Sequence, residues 1–451
     1  MTHLGQICKN FKNHQRFSGV VTIGSMKNLI KTAVLFLGLI STLSAKVYEY
    51  TYDNQLTLLE DPSAAVEHKI DLINKARHHV HILTFFWDES GVPKRMAEAL
   101  NAANARGVEV RILTTFIPTF GTDILGKGRK LLNTKSKTAT FSYLSLTPGS
   151  KFSLTHNLHE KVFIVDGEKA IIGGRNVSDS SLNGKDMEVE MEGPVVNQVQ
   201  DHFKVMYDFV LKSKKKDQSD NKTVFEETDE NFFPIQPTFT NGVKARILSH
   251  EALIHQAEKK MNKKERLNQK DDILETVLKV KFSKLRAYNY FLIPTDRFKT
   301  YLEQNLSDGN TIEMITNSFE SGQFSSNAGY IYALPDTLKL VNMGLKLYGW
   351  EKNQKLSYVH EKVLVFDDEH VFIGSHNLVT GSTSVSNELS VEFYSKEIAE
   401  RLITVFDQEI SDRSVTKIED AALLEKEIEA NKKKIKIFRN KLIGGYLREI
   451  Y

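Results

Sequence analysis

The chain has 451 residues, of which 41% are hydrophobic and 26% charged, with a formal charge of +3 and one cysteine. That length accommodates two or three domains with cores of their own. The lone Cys8 excludes a disulfide framework and a thiolate metal site.

Residues 1–45 read as processing sequence. Met26-Lys27-Asn28-Leu29-Ile30-Lys31 is a short basic start, Ala33 to Ile40 an apolar run, and Leu43-Ser44-Ala45 a small-residue end. This is the order of a secretory signal peptide over 26–45, cleaved near Ala45, with 1–25 a mis-called extension before it. The apolar run is short for a bilayer span; an uncleaved anchor is the alternative. The segment holds five basic residues and no acidic ones, so its removal takes the formal charge from +3 to −2. A net-negative chain is a poor start for a nucleic-acid partner. The expected location is outside the cytoplasm, periplasmic or secreted, with membrane association.

From Val66 to Arg77 apolar residues recur at helical spacing, and His81 to Phe86 reads as a buried strand. Gly91 to Ala105 reads as a second helix ended by Arg106-Gly107, and Val108 to Leu113 as a second strand. The order returns later. Asp272 to Lys281 is helical, Leu285 to Ile293 a strand, Pro294-Thr295-Asp296 opens a helix to about Leu306, and Thr311 to Thr316 is a strand. This register predicts two copies of one α/β unit, over 46–211 and 241–411, joined by a polar linker or surface loop over 212–240. Each copy is expected to hold a mixed sheet flanked by helices. The Lys-rich run Lys259 to Lys270 reads as the solvated face of a helix. The tail 412–451 reads as a basic amphipathic helix with Leu424, Ile428, Ile435, Phe438 and Leu442 on one face. It either packs on the second copy or lies on anionic lipid.

Inside each copy sits one short pattern. His159-Glu160-Lys161, four apolar residues and Asp166 lead to Gly173-Gly174-Arg175-Asn176. His360-Glu361-Lys362, four apolar residues and Asp367 lead to Gly374-Ser375-His376-Asn377 at the same spacing. On a strand, His and Lys two residues apart project from one face, so a nucleophile and a cation address one phosphate. Asp166 and Asp367 complete the catalytic pattern but have opposite parity, so they are expected to orient the fold or neighbouring loops. The glycines bring the backbone close and place the amides of Asn176 and Asn377 near the same oxygens. Phosphodiester cleavage needs an attacking group on one side of phosphorus and a proton donor on the other, which two facing histidines supply. Two lysines and two asparagines then neutralise the oxygens where charge accumulates.

The paired pattern resembles the phospholipase D superfamily, and in particular its two-repeat members, which include bacterial cardiolipin synthases. The resemblance implies two repeats related by a pseudo-twofold axis, with the active site at their interface. It implies a phosphohistidine intermediate, with His159 attacking and His360 as the acid, and no metal or other cofactor. Each imidazole is expected to have a carboxylate behind it. Glu388 matches the family's acidic position in the second half. In the first half, Asp186-Met187-Glu188-Val189 before Glu192-Gly193-Pro194 favours Asp186 as partner of His159, with Glu188 the alternative. Gly174 departs from the usual serine, which Ser375 keeps; the expected loss is one hydrogen bond. His156 and His376 are off-pattern and read as surface or supporting histidines. Trp87 and Tyr290 are candidates to line the cleft. The implied substrate is a phospholipid, hydrolysed or used for phosphatidyl transfer at a membrane surface; the alternative is an exported nuclease. With both half-sites in one chain, a monomer suffices.

Overall fold

The computed structural model describes residues 48–115, 128–133, 139–144, 157–213, 231–259, 261–267, 269–290, 292–318, 321, 324–352 and 356–440. The expected signal peptide, the extension before it, Cys8, His156, Leu442 and residues 214–230 of the expected linker lie outside them.

In chain order the strands of the first repeat are β1 (Thr51–Leu59), β2 (His79–Thr84), β3 (Glu109–Thr115), β4 (Ala139–Leu144), β5 (Asn157–Leu158), β6 (Val162–Val165), β7 (Lys169–Gly173), β8 (Gly184–Lys185) and β9 (Glu188–Glu192). Those of the second are β10 (Val243–Glu251), β11 (Lys284–Tyr288), β12 (Thr311–Asn317), β13 (Lys346–Trp350), β14 (Tyr358–Val359), β15 (Val363–Phe366), β16 (His370–Gly374) and β17 (Ser386–Tyr394), followed by β18 (Thr416–Ile418). One mixed sheet runs β18-β13-β12-β11-β15-β16-β17-β10-β1-β9-β7-β6-β2-β3-β4. Apart from β18, that order reads the same from either end, with the β1–β10 pairing at its centre. Two copies of one unit related by a pseudo-twofold axis produce this palindrome; unrelated domains do not.

Local sequence explains the elements. The runs Val162-Phe163-Ile164-Val165 and Val363-Leu364-Val365-Phe366 are buried throughout, as central strands covered on both faces must be. Helices Pro62–Lys75 and Asp296–Ser307 start where Asp61 and Thr295 accept the N–H groups of Ala64 and Phe298. Gly107 and Gly309 end corresponding helices with φ of 100° and 85°, a conformation that costs glycine little. Separate apolar clusters pack against each half: one around Ile73, Met96 and Leu100, the other around Leu274, Phe298 and Leu302.

Several elements differ from the sequence expectation. β11 stops at Tyr288 rather than Ile293, and the next residue, Asn289, sends its side-chain amide to the Asn377 carbonyl at 2.5 Å. The Lys-rich run is broken into helices Ala252–Lys259 and Lys263–Leu267, with Lys264 and Lys270 exposed. Of the expected linker, Phe232 is buried against His79 and His81 of the first repeat. The tail is not one helix. It adds β18 to the edge of the sheet, then forms helices Ala421–Ala430 and Lys432–Phe438, hinged at Asn431. Its apolar face turns inward as spaced, with Leu424 fully buried and Phe438 against Ile293, Tyr332 and Val379. Among the described residues no helix is long and apolar enough to cross a membrane.

Candidate active site

Each motif histidine is seated by a strand of the opposite repeat. β5, just before His159, pairs in parallel with the start of β17, and the His159 N–H donates to the Asn387 carbonyl at 2.9 Å. β14, just before His360, pairs in parallel with β8, and the His360 N–H donates to the Lys185 carbonyl at 2.7 Å. The residues after those two carbonyls are Glu388 and Asp186. The carboxylates are therefore exchanged: Glu388 Oε2 lies 2.9 Å from Nδ1 of His159, and Asp186 Oδ2 lies 2.7 Å from Nδ1 of His360.

This corrects the expected pairing within each half. Asp186 serves His360, and Glu188 serves neither histidine. The Glu188 carboxylate is held 2.5 Å from Lys69 Nζ and 3.1 Å from Arg175 Nε, deep in the first repeat. Sequence spacing gave no sign of the exchange, because both carboxylates follow their own motif at almost the same interval.

The lysines lie beside the histidines as the two-residue spacing requires. Lys161 Nζ donates to the His159 carbonyl at 2.5 Å, and Lys362 Nζ donates to that of His360. An aromatic ring covers each couple. Phe85 lies 4.8 Å from the His159 ring and 5.3 Å from Lys161 Nζ; Tyr290 lies 5.2 Å from the His360 ring and 5.6 Å from Lys362 Nζ. Tyr290 thus borders the site as expected. Trp87 does not; it is 2% exposed within the first core, and Phe85, two residues earlier, takes the place.

Asn176 and Asn377 follow their glycines, and in both the amide oxygen is buried without a hydrogen-bond partner. Ser375 Oγ donates to Glu388 Oε2 at 2.5 Å, so one carboxylate oxygen receives both the serine and the imidazole. At Gly174 a Cβ would stand 2.3 Å from Asp186 Oδ1. The glycine there makes room for the carboxylate, a stricter requirement than one lost hydrogen bond.

Asp166 and Asp367 stand behind the site. Asp166 Oδ1 accepts the backbone N–H groups of His78 and His79 at 2.7 and 3.0 Å, and Oδ2 that of Arg77 at 2.9 Å. Asp367 Oδ1 accepts those of Ser283 and Lys284, both at 2.9 Å. Both aspartates have φ of 54°, in the left-handed region, at the turn after the motif strand. They tie that turn to the start of the neighbouring antiparallel strand, which is the orienting role their parity suggests.

Sequence reasoning passed over the residue between His and Lys, although it is glutamate in both copies. Glu160 is buried 3.1 Å from His202 Nε2, and Glu361 is buried 3.0 Å from Lys185 Nζ. His376 is a supporting residue: its Nε2 lies 2.6 Å from the buried Asp271.

Burial dominates the electrostatics. It holds His159 down to about 4, with Glu388 opposing and Lys161 reinforcing the shift. His360 is likewise held to about 4 by burial and then Lys362, against Asp186. Burial also lowers Lys161 to about 7 and Lys362 to about 8. Glu388 falls to about 2 despite its burial, because His159 bonds its charged form. Lys362 acts on His159 and Lys161 on His360, so the half-sites share one field. Among the described residues no group of three or more His, Cys, Asp or Glu side chains is placed to hold a metal ion.

The sequence profile described as "Cardiolipin synthase, PLD-like domain" matches residues 70–207 and 276–410. Cardiolipin synthase 1 of Staphylococcus epidermidis is 23% identical over 368 residues, spanning 80% of this chain and 68% of the relative. An uncharacterized protein of Helicobacter pylori is 24% identical, spanning 80% of each chain. The crystal structure of phosphatidylserine synthase from Haemophilus influenzae superposes with a TM-score of 0.65 at 11% identity, spanning 88% of this chain and 95% of that one. That last likeness is one of fold.

Proposed function

We propose that this chain, which belongs to the phospholipase D superfamily through its cardiolipin synthase, PLD-like domain, cleaves phospholipid phosphodiesters and passes the phosphatidyl group to water or to an alcohol. The observation that carries the reading is the pair of imidazoles whose Nδ1 atoms are each engaged by a carboxylate of the opposite repeat. Nε2 is then the nitrogen left to react on both rings.

His159 Nε2 attacks phosphorus. The bond to the head-group oxygen breaks as the proton of His360 Nε2 passes to that oxygen. The acceptor then gives its proton to His360, bonds to phosphorus and releases His159. Water as acceptor yields phosphatidic acid; an alcohol, such as the free glycerol of phosphatidylglycerol, yields a transfer product. Lys161 and Lys362 supply charge to the phosphate oxygens, and the Nδ2–H groups of Asn176 and Asn377 are the asparagine donors toward them. The anionic substrate offsets the lysine field, which lets His360 hold its proton when the acid is needed.

Export and membrane contact belong to the same reading. Residues 26–45 have the order of a secretory signal, and Lys433, Lys434, Lys436 and Ile437 are exposed on the last described helix, as contact with anionic lipid requires.

The test is incubation of the protein and its His159→Ala variant with vesicles of phosphatidylglycerol and phosphatidylethanolamine, glycerol present, with products read by mass spectrometry. Phosphatidic acid or a new phosphatidyl alcohol formed only by the unmutated protein supports the reading. Intact lipids beside degraded DNA or RNA replace it with a nuclease.

A further inference from the structure

Lys185 sends its backbone and its side chain to different partners in the second repeat. Its carbonyl accepts the His360 N–H at 2.7 Å, and the next residue, Asp186, holds the His360 ring. Its side chain passes between two carboxylates of that repeat: Nζ lies 3.0 Å from Glu361 Oε1 and 2.9 Å from Glu409 Oε1. Glu361 is the residue between the motif His and Lys, and Glu409 lies on helix Lys396–Ser411. The Tyr288 hydroxyl donates to Glu409 at 2.7 Å, and its ring sits 5.0 Å from the ammonium. Burial works against charge on Lys185, but Glu361 and Glu409 outweigh it and raise the group above its ordinary value. A buried ammonium between two carboxylates resists displacement, since leaving would strand both acids.

The other half-site is built differently. The residue that accepts the His159 N–H is Asn387, an uncharged side chain whose amide oxygen accepts the Leu253 N–H at 2.8 Å. Glu160 takes its cation from His202, on a helix of its own repeat. A charged plug next to the carboxylate is therefore a feature of the His360 side.

We propose that Lys185 is a positioning residue for the acid half of the reaction: by locking β8 to Glu361 and Glu409 it fixes Asp186 against His360, so that the ring delivers its proton in line with the leaving oxygen. The inference rests on the phosphodiesterase reading and on His360 as the acid.

That role predicts dependence on the leaving group. An alkoxide needs a proton as it departs; p-nitrophenolate does not. Lys185→Met keeps an unbranched side chain one atom shorter and removes the charge. Glu409→Gln, at the partly exposed end of the network, is the milder variant if the first folds poorly. Turnover of a phospholipid with an alcohol head group is expected to fall about 100-fold in Lys185→Met and about tenfold in Glu409→Gln, with KM unchanged. The first-turnover burst of p-nitrophenolate from a phosphatidyl p-nitrophenyl ester is expected to stay within about threefold of the unmutated rate. Equal losses on both substrates reduce Lys185 to a structural support, and no loss on either removes it from the reaction. An unmutated protein inactive on both substrates overturns the phosphodiesterase reading and this inference with it.

Discussion

Glu388 bonds the ring of His159 across 229 positions of chain and from the opposite repeat. In the proposed reaction its carboxylate selects the tautomer that leaves Nε2 free to attack and stabilises the ring as positive charge develops. Replacing it with glutamine keeps the shape and loses both effects. Glu388→Gln is expected to lower kcat on the order of 10³-fold with little change in KM. Ser375→Ala removes one bond to the same oxygen, worth about 1 kcal/mol, and is expected to cost about fivefold. Steady-state kinetics on a short-chain phospholipid compares the two; equal effects would contradict the assignment.

Gly174 carries a prediction opposite to the one its motif suggests. Gly174→Ser restores the residue found in the second copy, yet its Cβ would stand 2.3 Å from Asp186 Oδ1. Relief requires Asp186 to swing off His360. The variant is expected to lose about 10- to 100-fold in kcat and about 1–3 kcal/mol of stability. Denaturant unfolding and kinetics measured on one preparation test both figures, and a gain in activity would refute the packing argument.

Asp166 belongs to the motif by sequence but to the scaffold by contact. Asp166→Ala leaves three backbone N–H groups without their acceptor and is expected to destabilise the chain by about 2–4 kcal/mol. Asp166→Asn keeps an acceptor oxygen and tolerates the left-handed backbone, so it is expected to cost about 1 kcal/mol. Both should retain near-normal kcat once folded. Loss of kcat in a fully folded Asp166→Asn would return this residue to the chemistry.

Proton exchange on anion binding tests the electrostatics. In the free site His360 is held to about 4 by burial and then by Lys362. An oxyanion against the lysines raises that value, and between the free and bound values binding takes up a proton. At about pH 6.5, sulfate, which has no proton to exchange there, is expected to bind with net uptake of protons. Calorimetry in buffers of different ionisation enthalpy measures the number. Proton release would reverse the sign of the account.

Much of this was legible because the chain repeats itself. The two His-x-Lys patterns, the glycine helix ends and the paired apolar strands each have one physical reading, stated twice. What was hidden depends on contacts between the copies. No local pattern reveals that β8 pairs with β14 or β5 with β17, and those pairings decide which carboxylate meets which histidine. Phe85 was passed over for Trp87 because both are aromatic and lie two residues apart. The Phe85 ring leaves the end of β2 toward His159, while Trp87 is drawn into the core at Val177. The break in the tail was hidden as well, since its apolar spacing continues across Asn431 and only packing shows the hinge.

The strand at the middle of the sheet is also the first to be made. β1 holds β9 along one edge, but its other edge waits for β10, with Thr51 and Ala245 194 positions apart. A ribosome that has released only the first repeat has therefore made a sheet with an open seam and a His159 whose carboxylate is not yet translated. Closure of the sheet and the pairing of His159 with Glu388 both depend on late-arriving chain. A chain cut short before β10 leaves that edge of β1 unpaired, the kind of exposed edge that recruits another strand.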